Sequence, residues 1–298
     1  MKANQFSNPK VRDLAWIVSS HSLMDLPSSD DSKSSLPIWN QSMDPVTENW
    51  LDQLDKNSDK LEAFLASDRE MLTGKIFETY LRFFFTYHPE YELLASNIQL
   101  IEGNQTKGEI DLIIQDRISN KTLHLEAACK FYLSSANQTN WESWIGPNSS
   151  DSLDKKITKL QQQIGNINLN PAQDFLRSRK IQIDQSLCFM KGYFFHHVNQ
   201  VQNHKSPINS SKNYSSGIWL HFSEISIFDR DQPVWHLLAK NRWFAPLQST
   251  EDGSSLNELK NQIELLLYKL KRPVLLARIL DDEIEDLRMF VVDNKWPH

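Results

Sequence analysis

The spacing of apolar residues changes period several times along the chain, and each change marks an element. Over residues 12–20 the apolar positions recur at helical spacing and predict a short N-terminal helix. The polar, aperiodic run SSDDSKSS over 28–35 reads as a surface loop. Over 61–87, Leu72, Ile76, Tyr80 and Phe83 or Phe84 form one stripe, which predicts a long helix with a break near Gly74. His88 and Pro89 end it, because proline disfavours α geometry in the residue before it.

From Leu93 the period shortens. LLASNIQLI, the turn-like GNQTKG (103–108), EIDLII, the polar QDRISNK and TLHLEAACKFYL predict a meander of three strands. A Trp-rich loop over 140–148 then leads to an amphipathic helix marked by Leu153, Ile157, Leu160 and Ile164. Two further strands are expected over 186–197 and 216–225, separated by a Ser- and Asn-rich loop that carries Lys205 and Lys212. A helix over 255–270 and an acidic segment, DDEIEDLRMFVVDNKW, close the chain, and no internal repeat is found. The order predicts an α/β fold with a mixed central sheet flanked by helices. It divides into an N-terminal helical extension over 1–60 and an α/β domain over 61–298 with a C-terminal elaboration.

Composition changes this picture in three ways. With 298 residues and 40% hydrophobic content the chain can bury a sizeable core, and nine Trp against eight Gly favour packing anchored on large rings. A net charge of −6 argues against a broad electrostatic grip on a polyanion, so any nucleic-acid contact must come from local patches. Two cysteines, Cys129 and Cys188, are too few for a disulfide framework or a zinc ribbon and read as buried small hydrophobes in a reducing compartment. The N-terminal apolar run AWIV is too short for a secretory or membrane segment, so the expected location is cytoplasmic. There is no Walker loop, GxGxxG or GxSxG, which leaves P-loop hydrolysis, dinucleotide binding and serine hydrolysis unsupported.

The candidate chemistry sits in the meander. Strict alternation places Glu109, Asp111 and Ile113 on one face of the second strand, and His124, Glu126, Ala128 and Lys130 on one face of the third. Neighbouring strands bring opposed side chains within about 5 Å, so Asp111 and Glu126 could share one cation beside the Lys130 ammonium. Two carboxylates suit Mg²⁺ or Mn²⁺, which keep waters and accept substrate phosphates, and a lysine offsets charge developing on a phosphate. His124 shares this face as a ligand, relay or substrate contact, although a lone strand histidine is more often structural. Lys155, Lys156 and Lys159 form a basic turn on the next helix, preceded by Trp141 and Trp144, which suits phosphate contact and base stacking. The adjacent His196 and His197 lack a carboxylate spacing that would make a zinc site.

GEIDLII followed by HLEAACK resembles the strand motifs of the PD-(D/E)XK nuclease superfamily, and GKIFETYL resembles its first core helix. RDLAW, KFYL, WIGPN and FVVDNKWP are similar to segments of a bacterial family catalogued as a domain of unknown function, a divergent relative of those nucleases. The resemblance implies a restriction-endonuclease-like core, metal held by Asp111 and Glu126, Lys130 in the catalytic-lysine role, Glu78 as an auxiliary acid and Gln163 as a polar site residue. It also implies a metal-dependent nuclease acting on DNA or RNA; separately, the acidic balance leaves open a partner protein that supplies the nucleic-acid grip, and no membrane contact is expected. One departure stands out: the superfamily places its lysine two residues after the Glu, where this chain has Ala128, whereas Lys130 follows by four. Shared strand parity lets Lys130 reach back. The other reading is a catalytically inert module that keeps the fold and binds nucleic acid or protein.

Three bland readings stand beside the sharp ones. Glu126 and Lys130 could pair without metal, Glu78 could pair with Arg82 one turn on, and the basic turn could be a solvated face.

Overall fold

A computed structural model of the chain describes residues 2–25, 36–40, 43–67, 72–228, 234–248, 253–280 and 284–298. The loop expected over 28–35 lies outside them. The N-terminal helix, α1 (Pro9–Ser19), starts where sequence chemistry puts it: Pro9 occupies the first turn and the Asn8 side chain accepts from the Lys10 and Val11 N–H groups. It is buried along most of its length, with Trp16 stacked on Tyr193 at 5.2 Å between ring centroids.

Two helices follow, α2 (Pro45–Lys56) and α3 (Asp59–Ala66), and then α4 (Thr73–Tyr87). The long helix expected over 61–87 with a break near Gly74 is thus two helices. The break precedes Gly74, which lies in the first turn of α4. Leu72, expected on the buried stripe, caps α4 and is 60% exposed, whereas Phe77, Tyr80, Phe83 and Phe84 carry the buried face.

The meander forms as expected from β1 (Tyr91–Glu102), β2 (Gln105–Asp116) and β3 (Lys121–Ser134), all antiparallel. Its first turn is tighter than GNQTKG suggested, because the strands run on until only Gly103 and Asn104 remain, with Gly103 at φ +59°. Short β4 (Trp144–Ile145), inside the Trp-rich loop, pairs the end of β3. After α5 (Leu153–Gly165) comes α6 (Asn170–Arg179), a helix without a strong periodic signal because it buries only Ala172 and Leu176.

Strand β5 (Gln185–His197) then inserts parallel to β3, and β6 (Ser215–His221) lies parallel to β5, so both extend the main sheet. The strand expected to reach Ile225 stops at His221 and turns into a 3₁₀ segment. Beyond α7 (Leu256–Glu264), which follows β7 (Val234–Leu237), come β8 (Val274–Ile279) and β9 (Glu285–Val292). The acidic closing segment thus supplies a strand. Among the described residues the sheet has nine strands in the order β1-β2-β3-β5-β6-β9-β8-β7, with β4 joined to β3. This is the mixed α/β core flanked by helices that the order of elements predicts.

The apolar residues of α1–α4 pack with Leu112, Leu125, Ala127, Phe131 and Phe189 on one face of the sheet. On the other, α5 packs with Ala128, Cys188 and Met190, α6 with Ile110 and Ile113, and α7 with Leu220 and Val291. A buried polar cluster ties the 240s loop to this frame. Asp13 accepts the Ala245 N–H at 3.1 Å, and the Arg288 guanidinium donates to the carbonyls of Trp243, Phe244 and Ala245. Each of these charges is satisfied several times over, which is the condition for burying it. The loop they hold presents Lys240 and Trp243 to the cleft described next.

Candidate functional site

The ladder between β2 and β3 runs from Asp116↔Lys121 to Leu112↔Leu125 and stops there. One residue further, Asp111 and Glu126 face each other where the strands part. The Asp111 side chain takes over as acceptor, with Oδ2 receiving the Ala127 N–H at 2.9 Å. Strict alternation therefore fails here: Ile110 and Ile113 both join the cluster under α6, while Leu112 and Ile114 lie in the core beneath α4. Asp111 does not share a regular face with Ile113, as period-two counting predicts, but is turned across the gap toward β3.

Glu126 is 0% exposed and Asp111 8%. Both Glu126 oxygens are held: Oε1 by His124 Nε2 at 3.0 Å and Oε2 by Gln163 Nε2 at 2.7 Å. His124 Nδ1 meets Ser186 Oγ at 3.1 Å. Burial holds the His124 ring down to about 4, so it is neutral at pH 7. With Glu126 ionised, its one N–H belongs on Nε2, and Nδ1 accepts from the serine hydroxyl. His124 is thus enclosed among protein groups and orients Glu126 rather than meeting a substrate.

Burial, followed by the facing charge of Glu126, pushes Asp111 up to about 7 against the Ala127 hydrogen bond and Lys156. Burial likewise raises Glu126 to about 7, against hydrogen bonds from Asp111 and the charge of Lys156, which lower it. The two carboxyls titrate as a unit and retain a proton near neutrality unless a cation joins them.

The lysines divide differently from the sequence expectation. Lys130 donates to Asp151 Oδ2 at 2.6 Å and is committed to that pair, not to Glu126. The cation whose field reaches both Asp111 and Glu126 is Lys156 of α5, whose own ionisation is lowered by burial and then by Lys130. The reason is geometric: Lys130 lies four residues along β3 from Glu126, whereas α5 crosses the sheet with Ile157 and Leu160 packed down and Lys156 beside them. Lys155 and Lys159 are exposed on α5 and do not line the cleft.

Glu78 accepts from Lys75 at 2.8 Å. Burial raises it, and Asp111 is among the acids whose field it feels, so it stands at the edge of the same group. Trp144 is 0% exposed and its indole N–H bonds the Gln138 carbonyl, which leaves no ring face for a base. Trp141 is half-buried and donates to the Ile208 carbonyl. His196 and His197 take separate partners, Tyr214 at 3.2 Å and Glu224 at 3.0 Å, and do not form one site. Cys129 and Cys188 are buried free thiols whose ionisation burial suppresses.

Above β3 opens a cleft of about 400 Å³, with Lys130, Asp151, Lys156, Glu78, Lys240 and Trp243 on its walls. Its floor is the backbone of β3 from Ala127 to Phe131. The loop carrying Asp151 is pinned by Trp296, whose indole N–H donates to the Gly146 carbonyl at 3.3 Å. Sequence reading missed Asp151 and Lys240, because neither lies in a motif and both reach the cleft through distant packing.

Among the described residues, no group of three or more His, Cys, Asp or Glu side chains is placed to hold a metal ion. Two carboxylates nevertheless fit the donor set of Mg²⁺ or Mn²⁺, which bind through one or two carboxylates and retain waters. Gln163 Oε1, beside Glu126, has no hydrogen-bond partner among the described residues, and a cation-held water would satisfy it.

Fold and site define an α/β protein whose mixed sheet carries a buried carboxylate pair next to a cleft lined by lysines and acids. The chain belongs to the family described as Domain of unknown function (DUF1853), whose model matches residues 12–292. No curated protein and no solved structure matches the chain. Among the described residues no helix is long and apolar enough to cross a membrane.

Proposed function

We propose that this protein is a metal-dependent nuclease, a divergent bacterial relative of the PD-(D/E)XK enzymes, hydrolysing phosphodiester bonds of DNA or RNA. The observation that carries this reading is the facing of Asp111 and Glu126 where the β2–β3 ladder ends, two buried carboxyls both raised to about 7. A pair arranged at such electrostatic cost belongs where a cation relieves it. Asp111 and Glu126 would hold Mg²⁺ or Mn²⁺, with Glu78 as an outlying acid. The ion would supply Lewis acidity and a more acidic bound water.

The chain's own residues do the remaining work. Gln163 and His124 fix Glu126, the Ala127 N–H fixes Asp111, and Lys156 offsets charge that builds on the scissile phosphate. In this reading Lys156 takes the role that the resemblance gave to Lys130.

A second reading, an inert module that binds nucleic acid or protein, is favoured by one observation: Lys130 is bonded to Asp151, and Ala128 occupies the position where the superfamily has its lysine. A nuclease assay with Mg²⁺ and Mn²⁺ on single- and double-stranded DNA and RNA, comparing wild type with Glu126→Gln, tests the choice. Metal-dependent cleavage lost in the variant supports the enzyme. Mn²⁺ binding lost in Asp111→Ala, without cleavage by the wild type, supports the module.

A further inference from the structure

The depth of the carboxylate pair constrains what can reach it. Glu126 is sealed from solvent and Asp111 nearly so, and neither lines the cleft; they adjoin its floor at Ala127, which follows Glu126 and whose N–H Asp111 accepts. In the nuclease reading a phosphodiester is cut from within this cleft. At about 400 Å³ the cleft lies within the ~300–1,000 Å³ range of sites that enclose one small molecule. It has room for about one nucleotide unit. An intact duplex, with a major groove alone ~12 Å wide, does not enter such a space.

Charge confines contact with any polynucleotide to a local site. The chain has a net charge of −6, so its surface as a whole repels a duplex. Three lysines from three separate elements nevertheless face this one cleft, Lys130 on β3, Lys156 on α5 and Lys240 on the 240s loop, against two acids, Glu78 and Asp151, the latter paired with Lys130. Lys240 stands apart from the other two, since it is exposed and is carried by a loop that Arg288 and Asp13 hold in place.

We infer that the cleft is a binding site for an unpaired polynucleotide strand, which threads a single nucleotide unit between Lys240 and Lys156 with its phosphate over the floor at Ala127, beside Asp111. This inference rests on the nuclease reading and names its substrate class: frayed ends, flaps or free single strands, not base-paired duplex. Lys240 grips a phosphate flanking the reacting one. It sets strand affinity without touching the reacting atoms.

The test is fluorescence anisotropy of the full-length protein with labelled 12-nucleotide single strands, as deoxyribo- and ribo-oligomers, and with the matching blunt duplexes. Ca²⁺ replaces Mg²⁺ in the binding arm, and cleavage is followed separately in Mn²⁺. The expected result is binding of at least one type of single strand about tenfold or more tighter than its duplex. Lys240→Ala weakens it severalfold and reduces the slope of log K against log salt by about 0.7, the loss of one phosphate contact on a single strand. Tighter or equal duplex binding, or no binding of either form, overturns the inference, and Mn²⁺-dependent cleavage in the same samples would leave the nuclease reading standing. Single-strand binding with the Lys240 effect but without cleavage overturns the nuclease reading and leaves the strand site in place. Lys240 is exposed, so its loss does not threaten folding, and an unchanged thermal transition confirms this.

Discussion

Asp111 accepts the backbone N–H of Ala127 through Oδ2 at 2.9 Å, standing in for the strand carbonyl that the ladder no longer supplies. This bond explains how an acid is kept in an apolar strand. It satisfies a backbone donor that would otherwise be orphaned where β2 and β3 part, and it aims the carboxyl at Glu126.

The first prediction separates the two jobs of that side chain. Asp111→Asn keeps an acceptor for the Ala127 N–H and removes the charge, whereas Asp111→Ala removes both. The Asp111 carboxyl is raised from 3.8 to about 7 by burial and by Glu126. Between those values the folded chain binds more protons than the unfolded one, so this group's contribution to stability falls as pH rises from about 4 to 7. At pH 8 without metal, Asp111→Asn is therefore expected to be more stable than wild type, by up to about 4 kcal/mol for a rise of that size. Asp111→Ala should recover less, because an unsatisfied N–H costs about 1–3 kcal/mol. Urea unfolding of the three proteins in EDTA decides it, and an Asn variant weaker than wild type refutes the argument.

The same proton makes cation binding depend on pH. Asp111 and Glu126 both sit near 7, so a cation must displace protons below that value and finds an ionised pair above it. The rise in melting temperature produced by Mn²⁺ should be small at pH 5.5 and full at pH 8. Asp111→Asn should show almost none at either pH. A shift independent of pH would mean that Mn²⁺ binds elsewhere.

How much of this was legible beforehand depended on how local the signal was. Asp111, Glu126 and the meander could be read because period two, a turn and a polar connection lie within one stretch of chain, and antiparallel neighbours follow from short links. The split at Asp111 could not, since it depends on where two strands stop pairing. The parallel placement of β5 against β3 and of β9 against β6, and the pairing of β7 with β8, arise across long separations. Helix α6 gives little amphipathic signal because only two of its residues are buried. Lys130 was misassigned for a related reason: parity showed which face it shares, but its partner, Asp151, comes from a loop held by Trp296, 150 residues away.

His88 supplies a third prediction away from the site. Its ring lies among Trp50, Phe84 and Tyr91, with Nε2 at 3.1 Å from Thr47 Oγ1, and burial holds it down from 6.5 to about 4 against the opposing effect of Asp44. The unfolded chain takes up a proton below 6.5 that the folded chain refuses. The stability His88 contributes is thus present above pH 6.5 and lost as pH falls toward 4, by up to about 3 kcal/mol. Raised carboxyls such as Asp13 and Asp111 act in the opposite direction, so the wild-type profile alone is not diagnostic. The difference from a variant is. His88→Gln should be less stable than wild type at pH 7.5, with the gap closing by pH 4.5. A constant gap would show that the ring is protonated in the fold.

The last prediction sets the two lysines of the cleft against each other. Lys156 acts on both Asp111 and Glu126, whereas Lys130 is bonded to Asp151 at 2.6 Å. Methionine preserves most of the aliphatic stem in either position, so packing is retained while the ammonium is lost. Removing a group that stabilises transition-state charge typically costs about 10²–10³ in turnover. Lys156→Met is therefore expected to lower the Mn²⁺-dependent cleavage rate by that factor with little change in KM, and Lys130→Met by less than tenfold. Ionisation offers a readout that does not require cleavage. Loss of the Lys156 charge should raise the Asp111 titration followed by carboxyl NMR, and loss of Lys130 should leave it in place. If Lys130→Met proves the more damaging variant and the Asp111 titration ignores Lys156, the ammonium that serves the carboxylate pair lies on β3 after all.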